Sequence, residues 1–161
     1  MAVITAAELK FYETVTGPHR GGAITTTEVT PSTIFDAVTG AEAAAGSIEY
    51  RGCYFKNTSA NANGLQSAKI WIETQTPGAD DVAIALAGEG VSAAIETIAD
   101  FNTPPAGESF TAPTSYATGL SLGKLAANAY YGFWLKRNVP AACAAYDADN
   151  FVIKVQGDSS A

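Results

Sequence analysis

Residues 48–56 read Ile-Glu-Tyr-Arg-Gly-Cys-Tyr-Phe-Lys, and residues 65–73 read Leu-Gln-Ser-Ala-Lys-Ile-Trp-Ile-Glu, with a polar break at 57–64 between them. Both runs are rich in aromatic and β-branched residues, which suit a pleated, half-buried surface. In the second run Ala68, Ile70, Ile72 and Thr74 share one face, and Lys69, Trp71, Glu73 and Gln75 share the other. A period of two marks a strand with one face in a core. The break ends in Asn63-Gly64, the pair best able to adopt φ > 0 at a hairpin turn. The two runs are therefore expected to form an antiparallel hairpin at the centre of a β-sandwich.

Working outward, further short strands follow. Leu9 and Phe11 alternate with Lys10 and Tyr12 near the N-terminus, which predicts an edge strand and arm over residues 1–14. Residues 23–29 are Thr-rich and extended. In 82–86, Val82, Ile84 and Leu86 face inward with alanines opposite. Residues 93–99 favour a short strand between turn signals. Residues 129–138 are the most aromatic part of the chain: Tyr131, Phe133 and Leu135 on one face, Tyr130, Gly132 and Trp134 on the other. With both faces apolar, this is an inner strand or one whose outer face meets a partner. Residues 151–155 form a last strand, and 158–161 a short tail.

One short helical connection is expected near residues 32–45, with Ser32 as a cap and Phe35 plugging one end of the sandwich. Frequent turns and little helix favour an all-β, single-domain sandwich over residues 15–157, immunoglobulin-like or jelly-roll-like. Ile70, Ile72, Ile84, Phe133 and Ile153 are its expected core. Length agrees, since 161 residues is a one-domain chain.

Charged residues are 16% of the chain, against about 25% on average. Interface cores are depleted in charge, so the low value hints at a surface that meets other protein. Net charge is −7, and no Lys or Arg lies between Lys69 and Lys124. Phosphate backbones attract cations, so neither nucleic acid nor an anionic membrane is an expected partner. No apolar run approaches the ~20 residues of a membrane span, and no basic-then-apolar leader opens the chain. Two free thiols, Cys53 and Cys143, suit a reducing compartment.

Catalytic chemistry finds little footing. A triad needs a base, and His19, the one histidine, lies in a Gly-rich loop and reads as solvated. Zinc needs more Cys or His ligands than are present. Asp147, Asp149 and Asn150 lack the glycine and distal glutamate of a hand-type calcium loop. Asp80 and Asp81 are adjacent, so their side chains point apart in a strand and do not share a proton. No catalytic residue, cofactor or metal is expected, and the chain does not read as an enzyme.

Residues 50–57 (Tyr-Arg-Gly-Cys-Tyr-Phe-Lys-Asn), 68–77 (Ala-Lys-Ile-Trp-Ile-Glu-Thr-Gln-Thr-Pro), 120–125, 134–137 (Trp-Leu-Lys-Arg) and 155–158 (Val-Gln-Gly-Asp) resemble small β-rich virion structural proteins of tailed bacteriophages. A glycine turn expected before the last strand pair is replaced by Asn128-Ala129. The resemblance implies a head decoration, or cement, protein on the outer capsid surface, made in the host bacterial cytoplasm. Its implied partners are the major capsid protein and further copies of itself, as a trimer at a lattice axis. Leu9, Phe11, Tyr130 and Trp134 are the interface residues expected on this reading, with the N-terminal segment reaching a neighbour. The alternative is a tail-associated receptor- or carbohydrate-binding module using Tyr116, Tyr130, Trp134 and Tyr146.

Overall fold

The computed structural model describes residues 3–76, 78–144 and 149–160. Strands β1 (Leu9–Thr14), β2 (Gly21–Gly22), β3 (Ile24–Glu28), β4 (Ser47–Asn57), β5 (Leu65–Gln75), β6 (Asp81–Val91), β7 (Ile95–Thr97), β8 (Leu120–Leu125), β9 (Tyr130–Val139) and β10 (Phe151–Asp158) make an all-β domain. A back sheet in the order β3-β1-β4-β9-β6 packs on a front sheet β10-β5-β8, and β2 and β7 form a separate small ribbon. All pairings are antiparallel.

The expected central hairpin does not form. β4 and β5 are the two runs that predict it, but they lie in different sheets. Both edges of β4 are occupied, by β1 from Leu9↔Asn57 and by β9 from Lys56↔Tyr130. β5 is likewise held between β10 and β8. The break at 57–64 is an arch that carries the chain from one sheet to the other. Asn57, wholly buried, organises it: its Nδ2 donates to Leu125 O at 3.0 Å and Ala126 O at 3.2 Å, and its Oδ1 accepts from Ser59 N at 3.1 Å. Gly64 has φ +68°, and a side chain there would meet Leu125 O at 2.6 Å. The Asn-Gly pair does make a turn, but one that ends an arch.

The N-terminal strand is also not an edge. β1 sits between β3 and β4, and residues that reach past it stay on their own domain, Ile4 packing against the core. Nor does the tail begin at 158. Asp158 pairs with Gln66, and Asn61 Nδ2 donates to Ser160 O at 2.9 Å.

Between the sheets lies one apolar core that includes Cys53, Phe55, Ile70, Ile72, Ile84, Phe133 and Ile153. A second cluster, Tyr50, Tyr54, Ala87, Ile95, Ile98 and Trp134, lies on the other face of the back sheet. Residues 95–113 cover that face as a third layer, held by Tyr54, whose hydroxyl donates to Gly22 O at 2.6 Å and accepts from Ile95 N at 2.8 Å. The acids of this region stitch the layer. Glu89 accepts from Glu96 N, Glu108 from Gly88 N, and Asp100 from Asn102 N and Thr103 N, at 2.7–2.9 Å.

One side of the sandwich is closed by residues 111–113. Ile84 and Thr111 exchange two backbone hydrogen bonds, at 2.7 and 3.0 Å, and Ile72 N donates to Pro113 O at 2.9 Å. Gln75 adds a side-chain bridge, both accepting from Val82 N and donating to Val82 O at 2.8 Å. The connection after β3 holds a 3-10 turn at Pro31–Thr33 and the helix α1 (Gly40–Ala45). Thr39, not Ser32, caps α1, in a reciprocal box with Glu42. Asn128 takes φ +62°, the left-handed turn expected of a glycine there.

Gly132 reports on the third layer. A methyl added there would sit 2.1 Å from Ile95 Cγ2 and 3.2 Å from Tyr54 Cε1. Overpacking of this kind costs ~1–3 kcal/mol. Gly132→Ala should therefore lower stability in denaturant unfolding, and adding Ile95→Ala should recover part of the loss. Additive losses in the double variant would contradict the packing described.

Candidate functional site

Three buried charged residues stand in the central strands of the back sheet: Glu49 and Arg51 in β4, and Arg137 in β9. All are buried, Arg51 at 2% exposure and Arg137 at 6%. Register brings them together, since Glu49 lies directly opposite Arg137. Glu49 Oε2 accepts from Arg137 Nη2, and Glu49 Oε1 lies 3.3 Å from Arg51 Nη2. The guanidiniums also bind backbone carbonyls of the connection: Arg51 Nε to Ile34 O at 3.3 Å, and Arg137 Nη1 to Asp36 O at 2.7 Å. Phe35 lies against both, its ring centre 5.3 Å from Arg51 Cζ and 4.8 Å from Arg137 Cζ, and Phe101 lies 3.5 Å from Arg51 Cζ. The same Phe35 ring meets Phe151 edge-on at 6.1 Å. The connection is thus latched over one end of the sandwich.

Beneath that latch is a cavity of about 470 Å³. Its roof is residues 35–40 with Ala43 of α1, and its floor is Val82, Arg137 and Val139. Asp80 and Asp149 line it from the β5–β6 connection and the start of β10. Thr76 ties these two parts together: Asn150 N donates to Thr76 Oγ1 at 2.8 Å, Thr76 N donates to Asn150 O at 2.9 Å, and Thr76 Oγ1 donates to Asp149 Oδ1.

Burial, together with the hydrogen bond to Asp149 and its charge, pushes the Asp80 carboxyl up to about 6. Burial pushes Asp149 the same way, but hydrogen bonds from Asp80 and Thr76 outweigh it and hold Asp149 below its ordinary value. Below about pH 6 the proton of the pair therefore rests on Asp80 and the charge on Asp149. The carboxyl that acts on Asp80 is Asp149, and not the exposed Asp81 next to it in the chain.

The other sequence-derived candidates are placed as follows. Trp134 is 0% exposed, under the third layer, and so is no part of an outer surface. Tyr130 is half-buried, edge-on to Tyr54 at 5.4 Å. Leu9 and Phe11 pack on the front core, Phe11 edge-on to Phe55 at 5.5 Å and Phe133 at 5.9 Å. These four expected interface residues form no common exposed patch; strand alternation sends the pairs to opposite faces of the back sheet. Tyr116 covers Trp71 edge-on at 6.0 Å and carries Lys69 on its ring at 5.0 Å. Tyr146 and Asp147 lie outside the described residues.

His19 is buried, not solvated: its Nδ1 is 3.1 Å from Gly52 O, and burial pulls its pKa down. Cys53 and Cys143 are free, and burial pushes the Cys53 thiol far up, which leaves it inert. Among the described residues no helix is long and apolar enough to cross a membrane, and no group of three or more His, Cys, Asp or Glu is placed to hold a metal. In comparisons with protein families, curated proteins and solved structures, nothing matches this chain.

The buried cluster could have been suspected from Glu49, Arg51 and Arg137 alone, because a charge inside an apolar strand requires a partner. Glu49 is the shared anion. Glu49→Gln leaves two buried guanidiniums without their carboxylate and should cost about 3–5 kcal/mol in denaturant unfolding. A loss under about 1 kcal/mol would mean that solvent reaches the cluster.

The carboxyl pair makes a separate expectation. The folded-state pKa of Asp80 lies above its ordinary 3.8. Its contribution to stability is complete below that value and is lost as pH rises through about 6. Asp149 has the opposite sign and loses its contribution only as pH falls below the ordinary range. Asp80→Asn, whose amide can donate to Asp149 at any pH, should flatten the fall in Tm across the acid-to-neutral range. Superimposable Tm–pH profiles for the two proteins would show that no proton is shared.

Proposed function

We propose that this chain is a decoration protein of a tailed-bacteriophage head, which binds the assembled lattice of major capsid protein from outside. The observation that carries the reading is the low density of charge on the exterior. Charged residues are few, at 16% of the chain, and Glu49, Arg51 and Arg137 are withdrawn into the fold. Lys10–Glu28 and Lys154–Glu73 are paired on the surface at 2.6 and 2.7 Å. What remains outside includes Val3, Val15, Val38, Ile48, Val91 and Val152, each more than a third exposed. Depletion of charge around exposed aliphatic groups is the composition of an interface core.

The resemblance of residues 50–57, 68–77 and 134–137 to small virion proteins points the same way. Binding only to the assembled shell stabilises it by mass action, and a trimer at a lattice axis multiplies weak contacts. A net charge of −7 suits a position outside the shell, away from packaged DNA. Among the described residues the carbohydrate-binding alternative draws no support from its aromatics. Trp134 is buried, and the Tyr116 and Tyr130 rings are engaged with Trp71 and Tyr54.

Imaging of intact particles carrying a labelled copy tests the reading. Label at regular positions over the outer head surface is the expected result. Label on the tail, or particles that lack the protein, would overturn it.

A further inference from the structure

His19 joins the third layer to the back sheet. β1 pairs with β4 as far as Tyr12↔Tyr54. Beyond that pair His19 takes both backbone groups of Gly52: Gly52 N donates to His19 O at 2.7 Å, and His19 Nδ1 lies 3.1 Å from Gly52 O. The residues after it hold the layer. Arg20 O accepts from Ile98 N at 2.9 Å, Arg20 Nη1 donates to Ala99 O, and Gly21 pairs with Thr97. His19 has φ +70°, a left-handed backbone that residues with a side chain rarely adopt, so its contacts and not its propensity keep it there. Gly52 is also where the layer presses on β4: a side chain there would meet Ile95 Cδ1 at 2.9 Å and Trp134 Cζ3 at 3.1 Å. Trp134 lies in the cluster beneath the layer, and its buried indole Nε1–H has no acceptor among the described residues. Opening of the layer would hydrate that donor.

A carbonyl only accepts, so Nδ1 carries the ring proton and Nε2 is the nitrogen that acid protonates. The charges facing the ring offer an imidazolium little. From β1, Glu13 Oε1 stands 3.9 Å from Nε2, beyond hydrogen-bond reach, on a side chain 26% exposed. From β4, Arg51 contributes a like charge. Arg20, in the same loop, is turned to Ala99 O, and in the layer Glu96 and Asp100 are tied to Ala106 N and to Asn102 N and Thr103 N. The His19 side chain itself is 10% exposed. A charged ring there loses its hydration and gains one distant, screened carboxylate. We propose that His19 is an acid-sensitive clasp: protonation of Nε2 releases the loop at 16–22 from Gly52 and lets the third layer open away from the aromatic face of Tyr50, Tyr54 and Trp134. Burial holds the closed ring below its ordinary value of 6.5. The contribution of the clasp is therefore complete above that value and is lost as pH falls below it. The clasp acts beneath the third layer, so it holds or fails independently of capsid binding.

Native-state hydrogen exchange of the full chain tests this, followed amide by amide from pH ~7.5 to ~5 and corrected for the intrinsic pH dependence of exchange. Protection of the Gly52, Ile95 and Ile98 amides is expected to fall at least about threefold across that range, while the amides that join β4 to β9 keep theirs. His19→Asn retains a side-chain donor and tolerates the left-handed backbone, but it does not titrate, so the same three amides should hold constant protection. His19 is the one histidine in the chain, and its ring resonance reports the titration in the wild-type protein whether or not that variant folds. A midpoint below 6.5 is expected. A midpoint at or above 6.5, a wild-type profile without the fall, a fall shared equally by the β4–β9 amides, or a fall that persists in His19→Asn would overturn the proposal.

Discussion

The ladder between β4 and β9 is the constraint on which the rest of the structure depends. It runs in register through ten residue pairs, from Ser47↔Val139 to Lys56↔Tyr130, between segments about 80 residues apart in the chain. Because side chains alternate across a strand, this one register decides both faces of the back sheet. Cys53, Phe55, Phe133 and Leu135 go to the core between the sheets, and Tyr50, Tyr54 and Trp134 go to the third layer. The same register sets Glu49 opposite Arg137. A slip of one residue would expose the aromatics and strand the buried charges.

Burial on both faces explains features that look unrelated in the chain. A sheet that is covered twice needs small residues where layers approach closely. Gly132 and Ala87 serve there, in the cluster of Ile95 and Ile98. The covering layer is mostly irregular, so its backbone donors need partners. The acids of residues 89–108 supply them, which is why this stretch is acidic without forming an acidic site. Several of the few charges in the chain are thus used to build the fold, either as the buried guanidinium–carboxylate cluster or as loop acids. An exterior sparse in charge, with an acidic balance, remains.

The cavity at the end of the sandwich follows from the same economy. The cluster latches the connection at 31–39 across the open end, yet the connection is too short of bulky side chains to fill it. Phe35 is turned toward the arginines and Phe151, and Ala37, Gly40 and Ala43 leave space behind it. The lip is assembled from segments far apart in sequence, Asp80 after β5 and Asp149 before β10. Inspection of neighbouring residues offers Asp81 as the partner of Asp80, because adjacency is what a sequence displays.

Periodicity, composition and turn signals determined that this is an all-β chain, where most of its strands lie, and which side chains of 68–74, 82–86 and 131–135 are inward, because alternation is a local property of each segment. They also marked 57–64 as a turn and 32–45 as a short helical connection, of which 40–45 is α-helical. Which strands are neighbours was decided by tertiary structure. The two runs on either side of 57–64 are equally good partners for each other and for β9 or β10, and only packing two sheets and a third layer at once selects the long-range choice. The burial of Trp134 and His19, the inner position of β1, the Glu49 cluster and the Asp80–Asp149 pair all follow from that choice. Each depends on contacts between residues distant in the chain, which carry no local signature.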